Sequence, residues 1–151
     1  MIQQRKKLLN ALSFFTRSVD IRYHTFVVSK HECPDIISLT ERLSTQISAF
    51  FKTNLEYFLD YDKVLVYYDN GQIELTRILS AIFPVLFSNL EFRKVQPSDY
   101  KLFQTADMLC TLELVDLKFQ TGQVSKSERD FFHSYHDFKK NYLKQLRKKL
   151  M

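Results

Sequence analysis

Two acidic side chains occupy positions where carboxylates could bind a divalent cation. Asp69 follows the apolar run 63–68, where a strand of a parallel sheet would turn into a helix. Asp107 lies within an apolar helical pattern, and helical spacing puts it on one face with Gln104 and Thr111. Carboxylate oxygens suit Mg²⁺ or Mn²⁺, and carboxylate-held ions can cleave a phosphodiester. Each acid also has a structural interpretation, as a turn or cap residue for Asp69 and as a water-facing residue for Asp107.

The surrounding elements predict an α/β fold. Runs rich in β-branched and aromatic residues predict about three strands, over residues 21–29, 63–68 and 90–95. Apolar residues at helical spacing predict helices over residues 2–18, 34–58, 73–85, 100–119 and 125–146. This alternation indicates parallel strands with helices packed on the sheet. The middle strand is the most apolar, so we expect it to be covered on both faces.

Length and composition predict one domain over residues 1–151. The chain is 45% hydrophobic, which is enough for one core, and its apolar runs are shorter than the ~20 residues of a membrane helix. Its cysteines, Cys33 and Cys110, have no zinc-site spacing. The sequence therefore predicts a cytoplasmic protein with no membrane partner. Cys110 is expected to pack as a small apolar residue on the buried side of its helix, with Leu102, Ala106, Leu109 and Leu114.

The net charge of +5 comes from one end of the sequence. Residues 124–151 hold 8 Lys and Arg against 3 Asp and Glu, whereas the two signs cancel before them. Such a stripe can attract phosphates, and basic last turns also complement the helix dipole and favour solubility. The candidate nucleic-acid-binding residues are Lys139, Lys140, Lys144, Arg147 and Lys148.

Four short motifs together resemble a protein family. They are the run 67–72 (YYDNGQ), Gln96-Pro97 with Tyr100, the run 104–107 (QTAD), and Cys110. In this order and spacing they resemble the bacterial and phage domain-of-unknown-function family 3800, whose members look like ribonuclease H-fold proteins. The resemblance runs from about residue 21 to residue 149. It implies a ribonuclease H-like partial sheet of about three strands with helices packed on it.

The resemblance also implies a phosphodiesterase site. Asp69 and Asp107 would be its catalytic and metal-binding acids, with Mg²⁺ or Mn²⁺ as the cofactor. Asn70, Gln72 and Gln104 would orient the substrate or support the metal ligands.

The sequence departs from the family at its beginning, because family members start with a strand that carries an Asp and no such segment precedes Met1. The expectation is therefore an N-terminally truncated domain whose strand 63–68 lacks its central partner. Such an edge can bind a second chain or self-associate. The chain would then be a fragment of a larger enzyme, one part of a two-chain assembly, or an inactive binding module. Simple truncation further predicts that strands 21–29 and 63–68 are not neighbours.

Two functions follow from these features. The first is a truncated metal-dependent nuclease that has lost activity or binds its metal weakly. The alternative is a non-catalytic module for nucleic-acid binding or protein assembly, which uses the basic segment or the uncovered strand edge. The missing first-strand acid favours the alternative for this chain.

Overall fold

The computed structural model describes residues 1–69 and 71–151. The fold is mixed α/β and mostly helical, which confirms the predicted class at that level. The main elements are α1 (Ile2–Ser18), α2 (Ile36–Thr53), α3 (Leu55–Leu59), β1 (Val64–Tyr68), α4 (Ile73–Leu86), β2 (Leu90–Lys94), α5 (Lys101–Thr121), α6 (Lys126–Phe132), α7 (Tyr135–Phe138) and α8 (Lys144–Leu146). A π-helical turn, Lys139–Leu143, joins α7 to α8, and a 3-10 turn, Arg147–Lys149, follows α8.

The chain divides into two compact units where the sequence predicted one domain. Unit 1 is Met1–Thr25 together with Tyr100–Met151, and unit 2 is Phe26–Asp99. Unit 1 thus contains both ends of the described chain, whereas unit 2 is one continuous segment.

Unit 2 contains a two-stranded parallel sheet formed by β1 and β2. Their register runs from Val64 opposite Leu90 to Tyr68 opposite Lys94, and α4 connects the strands. The pleat sends alternate side chains to opposite faces, so Val66 packs against the α4 side with 8% exposure while Leu65 is 39% exposed. The prediction of two parallel strands is confirmed. The expectation that β1 is covered on both faces is wrong, because Leu65 and Tyr67 on the other face are each 39% exposed.

Residues 21–29 do not form the third predicted strand. Within them, Tyr23 makes one isolated parallel bridge, to Leu150 in unit 1. The Tyr23 N–H donates to the Lys149 carbonyl at 3.0 Å, and its carbonyl accepts from the Met151 N–H at 2.9 Å. Further along, the Val27 carbonyl accepts from a Gln46 side chain instead of a strand. Residues 21–29 therefore have high β-propensity but form an extended segment without a strand ladder. β-propensity reflects how well side chains pack against a neighbouring strand, as well as a preference of the backbone.

The core of unit 1 is assembled around α5. Its buried side chains recur at helical spacing, and they are Thr105, Met108, Leu109, Leu112, Val115 and Asp116. The predicted buried side was largely wrong, since Leu102 is 58% exposed, Leu114 is 51% exposed and Cys110 is exposed. The apolar residues of α5 lie on all sides of the helix, so their spacing alone did not identify the face that packs. Although the residue is exposed, partial burial of its thiol among neighbouring side chains, followed by the charge of Asp107, raises the pKa of Cys110, which disfavours a reactive thiolate.

A polar cluster connects α5 to the end of the chain. The Arg147 guanidinium donates to Glu113 Oε2 at 2.8 Å and to Asp116 Oδ2 at 2.7 Å. The Asp116 side chain is 2% exposed and also accepts from the Tyr135 hydroxyl at 2.8 Å. Tyr23 donates to Glu113 Oε1 at 2.8 Å, and burial together with this carboxylate raises the pKa of Tyr23. The hydrogen bonds of this cluster therefore stabilise the buried Asp116 carboxylate, which would be costly to bury without donors.

The predicted last helix is broken at His133. The capping box predicted at its start is confirmed, because Ser125 and Glu128 exchange both bonds. At His133 the backbone has φ of 65°, which ends α6, and Ser134 then caps α7. The buried apolar stripe continues beyond the break with Phe138, Leu143 and Leu146, although the helix itself is interrupted.

We expect replacement of Asp116 by Ala to lower the free energy of unfolding by about 3 kcal/mol, because it leaves the Tyr135 hydroxyl without its acceptor and removes one of the two carboxylates that Arg147 binds. Asp130→Ala, at an exposed position of α6, is the matched control and should change stability by under ~0.5 kcal/mol. Urea denaturation followed by circular dichroism measures both. Equal midpoints for the two variants would contradict the role of the cluster.

We expect His133→Gly to raise the free energy of unfolding by about 1 kcal/mol. Glycine adopts positive φ without the steric cost that a Cβ imposes, and this gain exceeds its extra entropy in the unfolded chain. His136→Gly, inside α7, is the control and should destabilise by a similar amount. A loss of stability in both variants would show that His133 is not strained.

Candidate nucleic-acid interface

Four of the five predicted nucleic-acid-binding residues lie on one surface of unit 1. Together with His136 and Leu143, they line a shallow concavity of about 510 Å³, and the four are Lys139, Lys140, Lys144 and Arg147. Among the described residues lining it there is no carboxylate. We call these four cations and His136 the basic face. Lys148, the fifth predicted residue, is exposed but lies outside this lining.

The packing of the chain end presents the basic face to solvent. Phe138 is 0% exposed and Leu146 1%, and both belong to the unit 1 core with Leu143. These side chains anchor one side of residues 135–149, so the lysines between them in sequence are left outside. The π-helical turn adds a residue to the helical repeat at Lys139–Leu143, and such turns are frequent at functional sites.

The cations of the basic face are not equivalent. Lys139 places its ammonium 4.1 Å from the centre of the Tyr135 ring, a cation–π contact that leaves the charge intact. Arg147, in contrast, is bound to Glu113 and Asp116, and the hydrogen bond to Glu113 raises the pKa of its guanidinium. Its charge is therefore largely neutralised, which weighs against the phosphate-binding role predicted for it. Lys140 and Lys144 remain as exposed cations in the middle of the face.

Asp69 lies directly after β1 in unit 2, as predicted. Its Oδ1 accepts from the Gly71 N–H at 3.3 Å, which is the local bond of an Asx turn. The bond agrees with the turn interpretation of this acid. Gln72 is exposed and begins α4 without a side-chain cap bond, and Asn70 lies outside the described residues.

Asp107 is exposed on α5 in unit 1. Together with Gln104 and Thr111 it lines a groove of about 490 Å³, so the three share a face as their spacing predicted. The groove is bounded by α1, α5 and α6, and much of its wall is apolar, including Leu8, Leu12, Met108, Phe131 and Phe132. Metals of the magnesium type take several oxygen ligands, whereas this wall offers mainly carbon atoms.

The structure therefore places the two predicted metal-binding acids in different units. Over residues 1–69 and 71–151, no group of three or more His, Cys, Asp or Glu side chains could hold a metal ion. The assignment of Mg²⁺ or Mn²⁺ to Asp69 and Asp107 stays a prediction.

The residues predicted from the sequence did not include Glu113 and Asp116, two acids that accept several side-chain hydrogen bonds. Glu113 and Asp116 are three residues apart on α5 and form the polar cluster with Arg147. Their spacing puts them on one face of a helix, and this was an available signal. Their partner lies more than 30 residues away, and no local pattern predicted that contact.

A calorimetric titration tests the metal prediction. Mn²⁺ added to the wild-type chain should release heat that is lost in Asp69→Asn, since the amide keeps the shape and removes the charge. Asp62→Asn, which changes an exposed acid before β1, serves as the control. Equal heats in all three proteins would remove the assignment from Asp69.

None of the helices in the described part of the chain has the length and apolar character of a membrane span. Comparisons with protein-family models, curated proteins and solved structures found no significant match.

Proposed function

We propose that this chain is a non-catalytic nucleic-acid-binding module that holds phosphodiester backbone on its basic face. One observation carries the proposal: Lys139, Lys140 and Lys144 line a concavity without a carboxylate among its described lining residues. Phosphate contacts of this kind give affinity without sequence readout.

The dimensions of the basic face suit a few successive phosphates. Residues 136 to 148 are held in helical or near-helical turns, and at ~1.5 Å per residue they extend about 18 Å. Phosphates of one strand of a duplex are spaced by about 3.4 Å along the helix axis, so about five lie along this length. With Arg147 already paired, the cations that would bind them are Lys139, Lys140 and Lys144 of the basic face, together with the exposed Lys148 outside its lining.

The proposal does not include catalysis. Two-metal phosphodiester cleavage needs carboxylates that converge on the ions. The described residues provide no group of three or more His, Cys, Asp or Glu side chains that could hold a metal ion. The metal-dependent nuclease implied by the family resemblance is therefore not the function that the geometry supports best.

Binding should weaken with salt in proportion to the number of lysines engaged. For duplex DNA, about four contacts correspond to a slope near −3.6 in a plot of log association constant against log salt concentration. Replacing Lys140 and Lys144 together by Gln should reduce this slope by about 2 and weaken binding at low salt by roughly tenfold or more. Fluorescence anisotropy with labelled duplex DNA and with single-stranded RNA measures both quantities.

The matched control replaces Lys30 and Lys52 by Gln. Both are exposed lysines of unit 2, so the change in net charge is the same while the basic face stays intact. This control should bind like the wild-type chain. A control that loses as much affinity as the Lys140 and Lys144 variant would show that only net charge matters, and the proposal would fail.

A further inference from the structure

A second concavity of unit 1, of about 300 Å³, lies between the N-terminal half of α5 and the extended segment 21–25. We call it the Thr105 pocket. Residues 21–25 line one side of it, and the α5 residues that line it are Leu102, Thr105, Ala106, Leu109 and Cys110. Pockets that bind small molecules in proteins begin at about this size.

The Thr105 hydroxyl has no hydrogen-bond partner among the described residues, although the residue is only 2% exposed. Other helical threonines of unit 1 donate to the carbonyl four residues earlier, at 2.7 Å for Thr16 and 2.9 Å for Thr111. Thr105 does not make this bond, so its hydroxyl is directed away from the backbone of its own helix. A buried hydroxyl without a partner is costly, and Thr105 lines the pocket. The pocket is therefore the place where a ligand could supply that partner.

Arg22 adds a cation to the Thr105 pocket. Its guanidinium donates a long hydrogen bond, of 3.4 Å, to the Lys148 carbonyl, and it forms no ion pair with the described residues. The described lining contains no Asp or Glu. Glu113, which accepts from the Tyr23 hydroxyl, is already paired with Arg147. A guanidinium with no carboxylate partner favours an anionic ligand.

The Thr105 pocket also has an apolar wall, which is formed by Ile21, Leu102, Ala106 and Leu109. A small inorganic anion would lose hydration against this wall without compensation, whereas an apolar group would gain by leaving water. Because a water molecule occupies ~30 Å³ in the liquid, the pocket has room for about ten non-hydrogen atoms. These properties favour an acid with a compact apolar body over phosphate or sulfate.

We propose that the Thr105 pocket binds a small monocarboxylate with a compact apolar body. One carboxylate oxygen accepts from the Thr105 hydroxyl and the other from the Arg22 guanidinium, while the apolar body packs against the wall. This site does not depend on the proposed nucleic-acid function, because the pocket and the basic face share no lining residue.

Calorimetric titration with isocaproate, a branched acid within the size limit, tests the ligand class. We expect a dissociation constant of about 1 mM, which is typical of so small a ligand. Isocaproamide keeps the shape and removes the charge, so it should bind about tenfold more weakly. Inorganic phosphate should not displace isocaproate. A chain that binds no isocaproate, or that binds the amide equally well, would overturn the proposal, as would displacement by phosphate.

Two variants test the residues that hold the carboxylate. Thr105→Val and Arg22→Gln should each weaken isocaproate binding by about tenfold. Thr105→Val should not lower the midpoint of urea denaturation, because the hydroxyl has no partner to lose in the described chain. The matched controls are Thr111→Val, elsewhere on α5, and Arg129→Gln, at an exposed position of α6. Both controls should bind isocaproate like the wild-type chain, and an equal loss of binding in controls and test variants would contradict the site.

Alkylation of Cys110 by iodoacetamide locates the bound acid. This thiol is exposed and lines the Thr105 pocket, whereas Cys33 is buried. Saturating isocaproate should slow the alkylation several-fold in the wild-type chain and much less in Thr105→Val at the same concentration. The variant with Lys140 and Lys144 replaced by Gln should keep the full protection, because the basic face takes no part. An unprotected wild-type thiol would overturn the proposal, and loss of protection in the lysine variant would place the acid on the basic face instead.

Discussion

The ion pairs of Arg147 with Glu113 and Asp116 are the constraint on which unit 1 depends. Asp116 is almost fully buried, and a carboxylate in that position is tolerated only when donors surround it. Arg147 supplies one of those donors, and Tyr135 and Gln120 supply others. The same guanidinium reaches Glu113, which also holds Tyr23. One group of polar side chains therefore fixes the segment after α1, the middle of α5 and the last helical turns.

The basic face is a consequence of this fixation. With Arg147 turned toward α5 and Phe138, Leu143 and Leu146 in the core, residues 135–149 can rotate no further, and their lysines must face water. The face is thus built from charges that packing excludes from the interior. Its electrostatic strength is lower than the sequence suggests, since Arg147 contributes to the fold and little to the surface field.

Local patterns predicted the elements well and their packing partners less well. The spacing of Leu8, Leu12 and Phe15 predicted α1 to its observed ends, and the apolar run before Asp69 predicted β1. The third strand failed, because residues 21–29 have strand-like composition but Tyr23 pairs with Leu150, a contact that sequence order does not reveal. The buried side of α5 failed for a related reason. Its packed face includes Thr105 and Asp116, and a search for apolar residues passes over both.

The candidate sites show the same difference between what local sequence patterns predict and what depends on long-range contacts. The run of basic residues near the end of the sequence predicted cations of which four line one concavity, because these residues are close in sequence and lie on consecutive helical turns. Their role in nucleic-acid binding stays a prediction. The metal site required two acids on elements about 40 residues apart to meet, and no local rule determines such a distance. The chain places them in different units.

The bridge between Tyr23 and Leu150 has a consequence for biosynthesis. Unit 2 is continuous in sequence and can complete its contacts while later residues are still being added. Unit 1 needs Arg147 and Leu150, which emerge from the ribosome more than 120 residues after Tyr23. During that interval α1 has no α5 or chain end to cover its apolar stripe, and long-range closure of this kind is slow. The order of synthesis therefore leaves the apolar stripe of α1 accessible to chaperones until the last residues of unit 1 have been added.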